Sequence, residues 1–227
     1  MLDLRRTPGR PLIAPSILSA DFARLGEEAG HVLDHGADLL HLDVMDGHFT
    51  PNLTMGPALC SCLRKAIPGA FLDVHLMVEH PELFVDPFIK AGANNLTFHA
   101  EVLHPDECRR LADRVRRAGA TAGLAINPST DARPLLSLAA SFDLVLVMSV
   151  NPGYSGQAFM PEVLPKTRLV RDAVGRRVRV QMDGGVSLTN AERVRSAGCD
   201  VIVAATAIFG VPRPERAGVI AGLKGPE

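Results

Sequence analysis

The chain has 227 residues, 47% of them hydrophobic and 22% charged, with a formal net charge of −1. These are the proportions of a globular protein of one large domain, and the near-neutral charge leaves no electrostatic footprint for nucleic acid or an anionic membrane surface. No apolar run reaches bilayer length, "MLDLRRTPGRP" lacks a signal-peptide core, and there is no Trp for base stacking. Cys60, Cys62, Cys108 and Cys199 fall in no CxxC spacing and read as reduced, mostly buried thiols of a cytoplasmic protein.

Residues 1–10 read as a disordered tail of a single domain spanning 1–227. Apolar strands follow at 12–18, 39–45, 71–77, 96–99, 121–126, 143–149, 178–182 and 201–204, separated by helical patterns such as 104–118, where Leu111 and Val115 mark one buried face. Four of these helices stop in the same way before a strand, at "HGADLL", "AGANNL", "AGATAG" and "AGCDVI", so Gly36, Gly92, Gly119 and Gly198 are expected to be left-handed caps. Eight strand–helix units with nearly continuous apolar strands predict an α/β protein, a single (β/α)8 TIM barrel with eight parallel strands. An open doubly wound sheet would more usually have fewer units and a GxGxxG turn, which is absent. The long connections 46–56 and 150–162 then belong to the end of the barrel where such folds build their sites.

Two strands carry polar residues where a core should be sealed. In "LLHLDVM", Leu40, Leu42 and Val44 share one face and His41, Asp43 and Met45 the other; "FLDVHLM" repeats the pattern with Asp73, His75 and Met77 opposite Leu72, Val74 and Leu76. "VQMDGGV" adds Asp183. Each polar residue could be separately hydrogen-bonded in the core, but two imidazoles and two carboxylates at one end of a barrel suit zinc, manganese or ferrous iron. Asp73, set deeper, is expected to orient a ligand. His99 is expected to be a supporting or packing residue, and His31, His35, His80 and His104 to lie solvated on helices. Asp43 and Asp183 come from different sides, so one can take a proton from a carbon next to a carbonyl while the other returns one to the opposite face; the alternative is that both merely hold a structural metal. Met45, Met77 and Met148, near strand ends, are either ordinary core or a soft wall that excludes water.

Lys65, Lys90, Lys166 and Lys224 are the only lysines, and none stands at a strand end, which disfavours imine chemistry and barrels using an Asp-x-Lys-x-x-Asp strand. The loops "MDGGVS", "VAATAIFG" and "NPGYSGQ" are candidates to cradle a phosphate, with Gly184 and Gly185 allowing close backbone approach and Thr206 offering a hydroxyl.

The stretches "APSILSADF", "HLDVMDGHFTPNLTMGP", "DVHLMVEHPE", "TFHAE", "VNPGYSGQAF", "MDGGV" and "VAATAIFG", in this order over about residues 11–210, resemble the ribulose-phosphate 3-epimerase family. The resemblance implies a cytoplasmic, homo-oligomeric enzyme that interconverts D-ribulose 5-phosphate and D-xylulose 5-phosphate at C3, through a metal-stabilised enediolate, with no nucleic-acid or membrane partner. It implies one divalent ion per subunit (zinc, ferrous iron, manganese or cobalt) on His41, Asp43, His75 and Asp183, with Asp43 and Asp183 also the acid/base pair. Substrate contacts then fall on Ser16, Met45, His75, Met77 and Met148, on Gly153, Tyr154, Ser155 and Gly156, on Asp183, Gly184 and Gly185, and on Ala205 and Thr206. Three positions depart from the family pattern: Tyr154-Ser155 in place of Phe-Gly, Met182 in place of Val, and Ala205-Thr206 in place of Gly-Ser. Ser155 and Ala205 add bulk near the phosphate, which keeps open a 3-epimerase of a longer ketose phosphate such as allulose 6-phosphate, although that relative often lacks the second glycine kept here as Gly185. A barrel that binds a phosphosugar without turning it over is the other alternative.

Overall fold

The computed structural model describes residues 2–6 and 9–226. Eight parallel strands run β1 (Leu12–Pro15), β2 (Leu40–Met45), β3 (Leu72–Met77), β4 (Asn95–His99), β5 (Thr121–Ile126), β6 (Leu144–Met148), β7 (Arg179–Asp183) and β8 (Val201–Ala204), with helices between them. Each strand pairs with its neighbour in sequence from β2 to β8, and β8 pairs with β1. The remaining seam, between β1 and β2, is bridged at Ser16 and His41, so the sheet is a (β/α)8 barrel.

Alternation along the strands separates two environments. Leu40, Leu42 and Val44 on β2, and Leu72, Val74 and Leu76 on β3, pack outward in the large cluster shared with the helices. Their neighbours His41, Asp43, Asp73 and His75 are buried. Met182 belongs to the outer cluster, so its departure from the family pattern lies away from the barrel interior.

The four glycines before strands have φ of 100° (Gly36), 98° (Gly92), 92° (Gly119) and 97° (Gly198), the left-handed conformation that ends a helix without Cβ strain. The expected helix 104–118 runs Pro105–Arg117, because His104 caps it: its ring accepts from Asp106 N–H, and its own N–H donates to Glu107. The first strand ends three residues earlier than expected. Ser16 accepts from Leu18 N–H and starts a one-turn helix at Ile17–Ser19, which removes those residues from the ladder. His31 is half-buried, bonded to the Arg213 carbonyl, and not simply solvated.

Of the stretch expected to be a disordered tail, Met1, Thr7 and Pro8 lie outside the described residues. Leu4 is fully buried and joins the interior apolar cluster with Leu12, Leu39, Phe71 and Val201, which begin strands or immediately precede them, so the stretch is anchored at that point. Among the described residues no helix is long and apolar enough to cross a membrane. Cys60, Cys108 and Cys199 are buried free thiols, and Cys62 is exposed.

Candidate active site

At the C-terminal ends of the strands a pocket opens that is lined by Ser16, Asp43, Met45, Met77, Met148, Asp183, Gly184 and Gly185, by Gly153 to Gly156, and by Ala205 and Thr206. His41 and His75 lie under its floor, fully buried. One ligand atom from each of His41, Asp43, His75 and Asp183 can be chosen so that all lie within 4.8 Å of one another. His41 Nε2 lies 3.2 Å from Asp43 Oδ1 and 4.0 Å from Asp183 Oδ2; His75 Nδ1 lies 3.0 Å from Asp43 Oδ1 and 3.8 Å from Asp183 Oδ2.

The cluster passes a direct test of fit to a divalent cation. His41 Nε2 is buried and has no hydrogen-bond partner, although it faces two carboxylates. A buried polar atom left so is costly, and a cation among two nitrogens and two carboxylates would satisfy it. The opposite nitrogen of that ring is already engaged: Nδ1 donates to Asp73 Oδ2 at 2.8 Å. Asp73 also accepts from Asn95 Nδ2 and Gln181 Nε2, each at 2.7 Å, and Thr121 in turn donates to Asn95 Oδ1 at 2.8 Å. The orienting role expected of Asp73 thus has a hydrogen-bonded network behind it.

The two aspartates are electrostatically unlike. Burial would raise the pKa of Asp43, but His41 and His75 beside it hold its carboxyl below the usual carboxylate range. Ser16 donates to its Oδ2 at 2.5 Å. Asp183 has burial and the neighbouring Asp43 charge against its ionised form, and is pushed up to about 7. Burial likewise pushes His75 down to about 4. Burial opposes charge on His41 too, yet Asp43 and Asp73 outweigh it and raise that imidazole well above its usual value.

The opposite wall is backbone. Gly184 has φ 121°, and a Cβ there would fall 2.7 Å from the Val150 nitrogen. At Gly185, φ 62°, a Cβ would meet Phe159 N at 2.7 Å and Gln157 O at 2.8 Å. Gly185 is therefore required by the loop after β6 packing against it, whatever the pocket holds. That loop is tied to the one after β2: Asn52 Nδ2 donates to the Gly153 carbonyl and Tyr154 Oη to the Pro51 carbonyl, at 2.8 and 2.9 Å. The tyrosine departure thus uses its hydroxyl outside the pocket floor. Pro152, Gln157, Val186 and Val203, from the three loops expected to cradle a phosphate, also line the pocket, as do Leu18 and Val150, apolar residues with no signal of their own in sequence.

A family model described as the ribulose-phosphate 3-epimerase family matches residues 12–209. The chain belongs to that family. It is 47% identical over 219 residues to the ribulose-phosphate 3-epimerase of Mycobacterium bovis, covering 95% of this chain and 93% of that protein. The Escherichia coli K12 protein of the same name is 46% identical over 205 residues, covering 88% and 90%. The chain is accordingly an enzyme, an epimerase. Among solved structures, 3-keto-L-gulonate-6-phosphate decarboxylase from Vibrio cholerae superposes with a TM-score of 0.70 over 94% of this chain and 95% of that one. At 14% identity that likeness is one of fold.

Proposed function

We propose that this family member interconverts D-ribulose 5-phosphate and D-xylulose 5-phosphate, with Asp43 and Asp183 exchanging protons with C3 from opposite faces. The observation that carries the reading is the placement of this pair: Asp43 on β2 and Asp183 on β7, with β1 and β8 between them, both open into the pocket beside His41.

A divalent cation on His41, Asp43, His75 and Asp183 would supply positive charge against the negative charge that spreads over the substrate oxygens when C3 loses its proton. In one direction Asp43 takes the C3 proton and the Asp183 carboxyl delivers one to the other face; in reverse the roles exchange. Ser16, bonded to Asp43 Oδ2, keeps that carboxylate aimed. Met45, Met77 and Met148, each almost wholly buried apart from the surface they give the pocket, keep water from the flat intermediate. Gly153 to Gly156, Gly184, Gly185, Ala205 and Thr206 present backbone and hydroxyl groups suited to the phosphate, and binding energy collected there would hold C3 between the carboxylates.

Ser155 and Ala205 both line the pocket, which keeps a longer ketose phosphate as a second reading. Steady-state assays of pentulose and hexulose phosphates on metal-loaded protein decide between them: the proposal expects the highest kcat/KM with ribulose 5-phosphate, and a preference for allulose 6-phosphate would replace it. Turnover of none of these would favour a phosphosugar-binding barrel.

A further inference from the structure

We infer that His99 and Glu101 are positioning residues that decide which nitrogen of His75 faces the cation site, an inference that rests on the metal reading above. His99, at the end of β4, is fully buried. Its Nε2 lies 2.9 Å from His75 Nε2, and its Nδ1 lies 3.1 Å from Glu101 Oε2. Two imidazole nitrogens at that distance share one proton, so one ring donates and the other accepts.

Glu101 sets the direction. Its other oxygen, Oε1, accepts from Asn127 N–H at 2.8 Å and from Thr130 Oγ1 at 2.6 Å. Burial would raise the Glu101 pKa, but these bonds and the one from His99 outweigh it and hold the carboxyl below its usual value. A carboxylate only accepts, so the His99 proton belongs on Nδ1 and His99 Nε2 is an acceptor. The proton between the rings then belongs to His75 Nε2, which leaves His75 Nδ1, 3.0 Å from Asp43 Oδ1 and 3.8 Å from Asp183 Oδ2, to offer its lone pair to a cation bound there. With no cation bound, Asp43 Oδ1 at 3.0 Å is itself an acceptor for a proton on that nitrogen, so Glu101 and Asp43 compete for the relay, and an ion at the site settles it toward Nε2–H. Phe49, with its ring centroid 4.6 Å from that of His99, packs against this ring, and Lys166 Nζ fixes the Asn127 and Pro128 carbonyls at 2.8 and 2.6 Å. His41 has its carboxylate directly behind it; His75 reaches one only through a second imidazole.

Glu101→Gln tests the direction with almost no change of shape. Its oxygen can still accept from Asn127 and Thr130, which turns the amide N–H toward His99 Nδ1. The relay then reverses, and the His75 proton moves to Nδ1, where a ligand is needed. Zinc affinity measured by chelator competition should fall about 10- to 100-fold in Glu101→Gln, with the metal-free protein still unfolding in one cooperative transition. His99→Gln, whose amide oxygen can accept from His75 Nε2, should keep more affinity than His99→Leu. Nitrogen-15 NMR of the zinc-loaded wild type should place the His99 proton on Nδ1 and the His75 proton on Nε2. Wild-type zinc affinity in Glu101→Gln, or a His99 proton on Nε2 in the wild type, would overturn the inference while leaving the metal site standing. A wild type that binds no zinc would overturn both.

Discussion

The two halves of the pocket are made of different material. One half is charged side chains sunk into the barrel: His41, Asp43, His75 and Asp183, with Asp73 and its amide partners beneath them. The other half is main chain, brought close by Gly184 and Gly185 and by the loop after β6. Chemistry on carbon needs groups that hold and release protons, which only side chains supply. An anion that does not react needs donors at fixed positions, and amides supply those without a titratable group. The halves should therefore fail differently, the first in kcat and metal content, the second in KM and stability.

The largest effects belong to the side-chain half. Asp43→Asn and Asp183→Asn each remove a proton carrier at nearly constant shape, and each should lower kcat by about 10²- to 10⁴-fold or more in a coupled epimerase assay. Chelation should likewise abolish turnover, zinc, manganese, ferrous iron or cobalt should restore it, and His75→Ala should lose the ion stoichiometrically by elemental analysis. Full activity of rigorously metal-free protein would break the contrast at its root.

Metal uptake should also depend on pH in a defined direction. Asp183, pushed up to about 7 without a cation, is protonated below that pH and must release its proton to become a ligand. Apparent affinity should thus weaken as pH falls below about 7, by about tenfold per pH unit for each proton displaced. Cobalt titrations at pH 6 and pH 8 measure it; equal affinities would show that Asp183 is already ionised.

This difference in material also explains what could be read before the fold was known. His41, Asp43, Asp73 and His75 stood out because strand alternation put them opposite leucines and valines, and the same pattern recurs on two strands. The left-handed glycines at 36, 92, 119 and 198 were equally legible, since a helix stop has its own local chemistry. Glu101 was not: a glutamate just after a strand resembles any surface charge until Asn127, Thr130 and His99 are seen around it. Gly185 was legible as a glycine but not as to its cause, because the backbone that crowds it comes from the loop after β6. The burial of Leu4 was hidden for another reason, since Leu2 and Leu4 alone in a short polar stretch establish no periodicity.

Smaller effects sharpen the main-chain half. Gly184→Ala puts a Cβ against Val150 at a φ that disfavours it, and should cost about 1–3 kcal/mol in urea unfolding, with a raised KM. Ala205→Asp should raise KM for the phosphorylated substrate through repulsion of the dianion, leaving metal content unchanged. Ala205→Gly should change KM only modestly, and unphosphorylated ribulose should turn over very poorly. The smallest expected effect is Tyr154→Phe, which loses one exposed hydrogen bond to the Pro51 carbonyl and should shift stability by less than about 1 kcal/mol.

The division of labour between Asp43 and Asp183 is tested most directly by proton exchange at C3 in D2O. Each epimer is incubated with wild type, Asp43→Asn and Asp183→Asn, and deuterium at C3 is followed by NMR alongside product formation. Two opposed carboxylates predict solvent deuterium at C3 of the product made by wild type. They also predict that neither variant epimerises efficiently, and that a variant which still exchanges does so on one epimer only, the epimer whose proton faces the remaining carboxylate. Efficient epimerisation by both variants, or exchange of both epimers by one of them, would contradict the account and assign the proton transfers to another pair of groups.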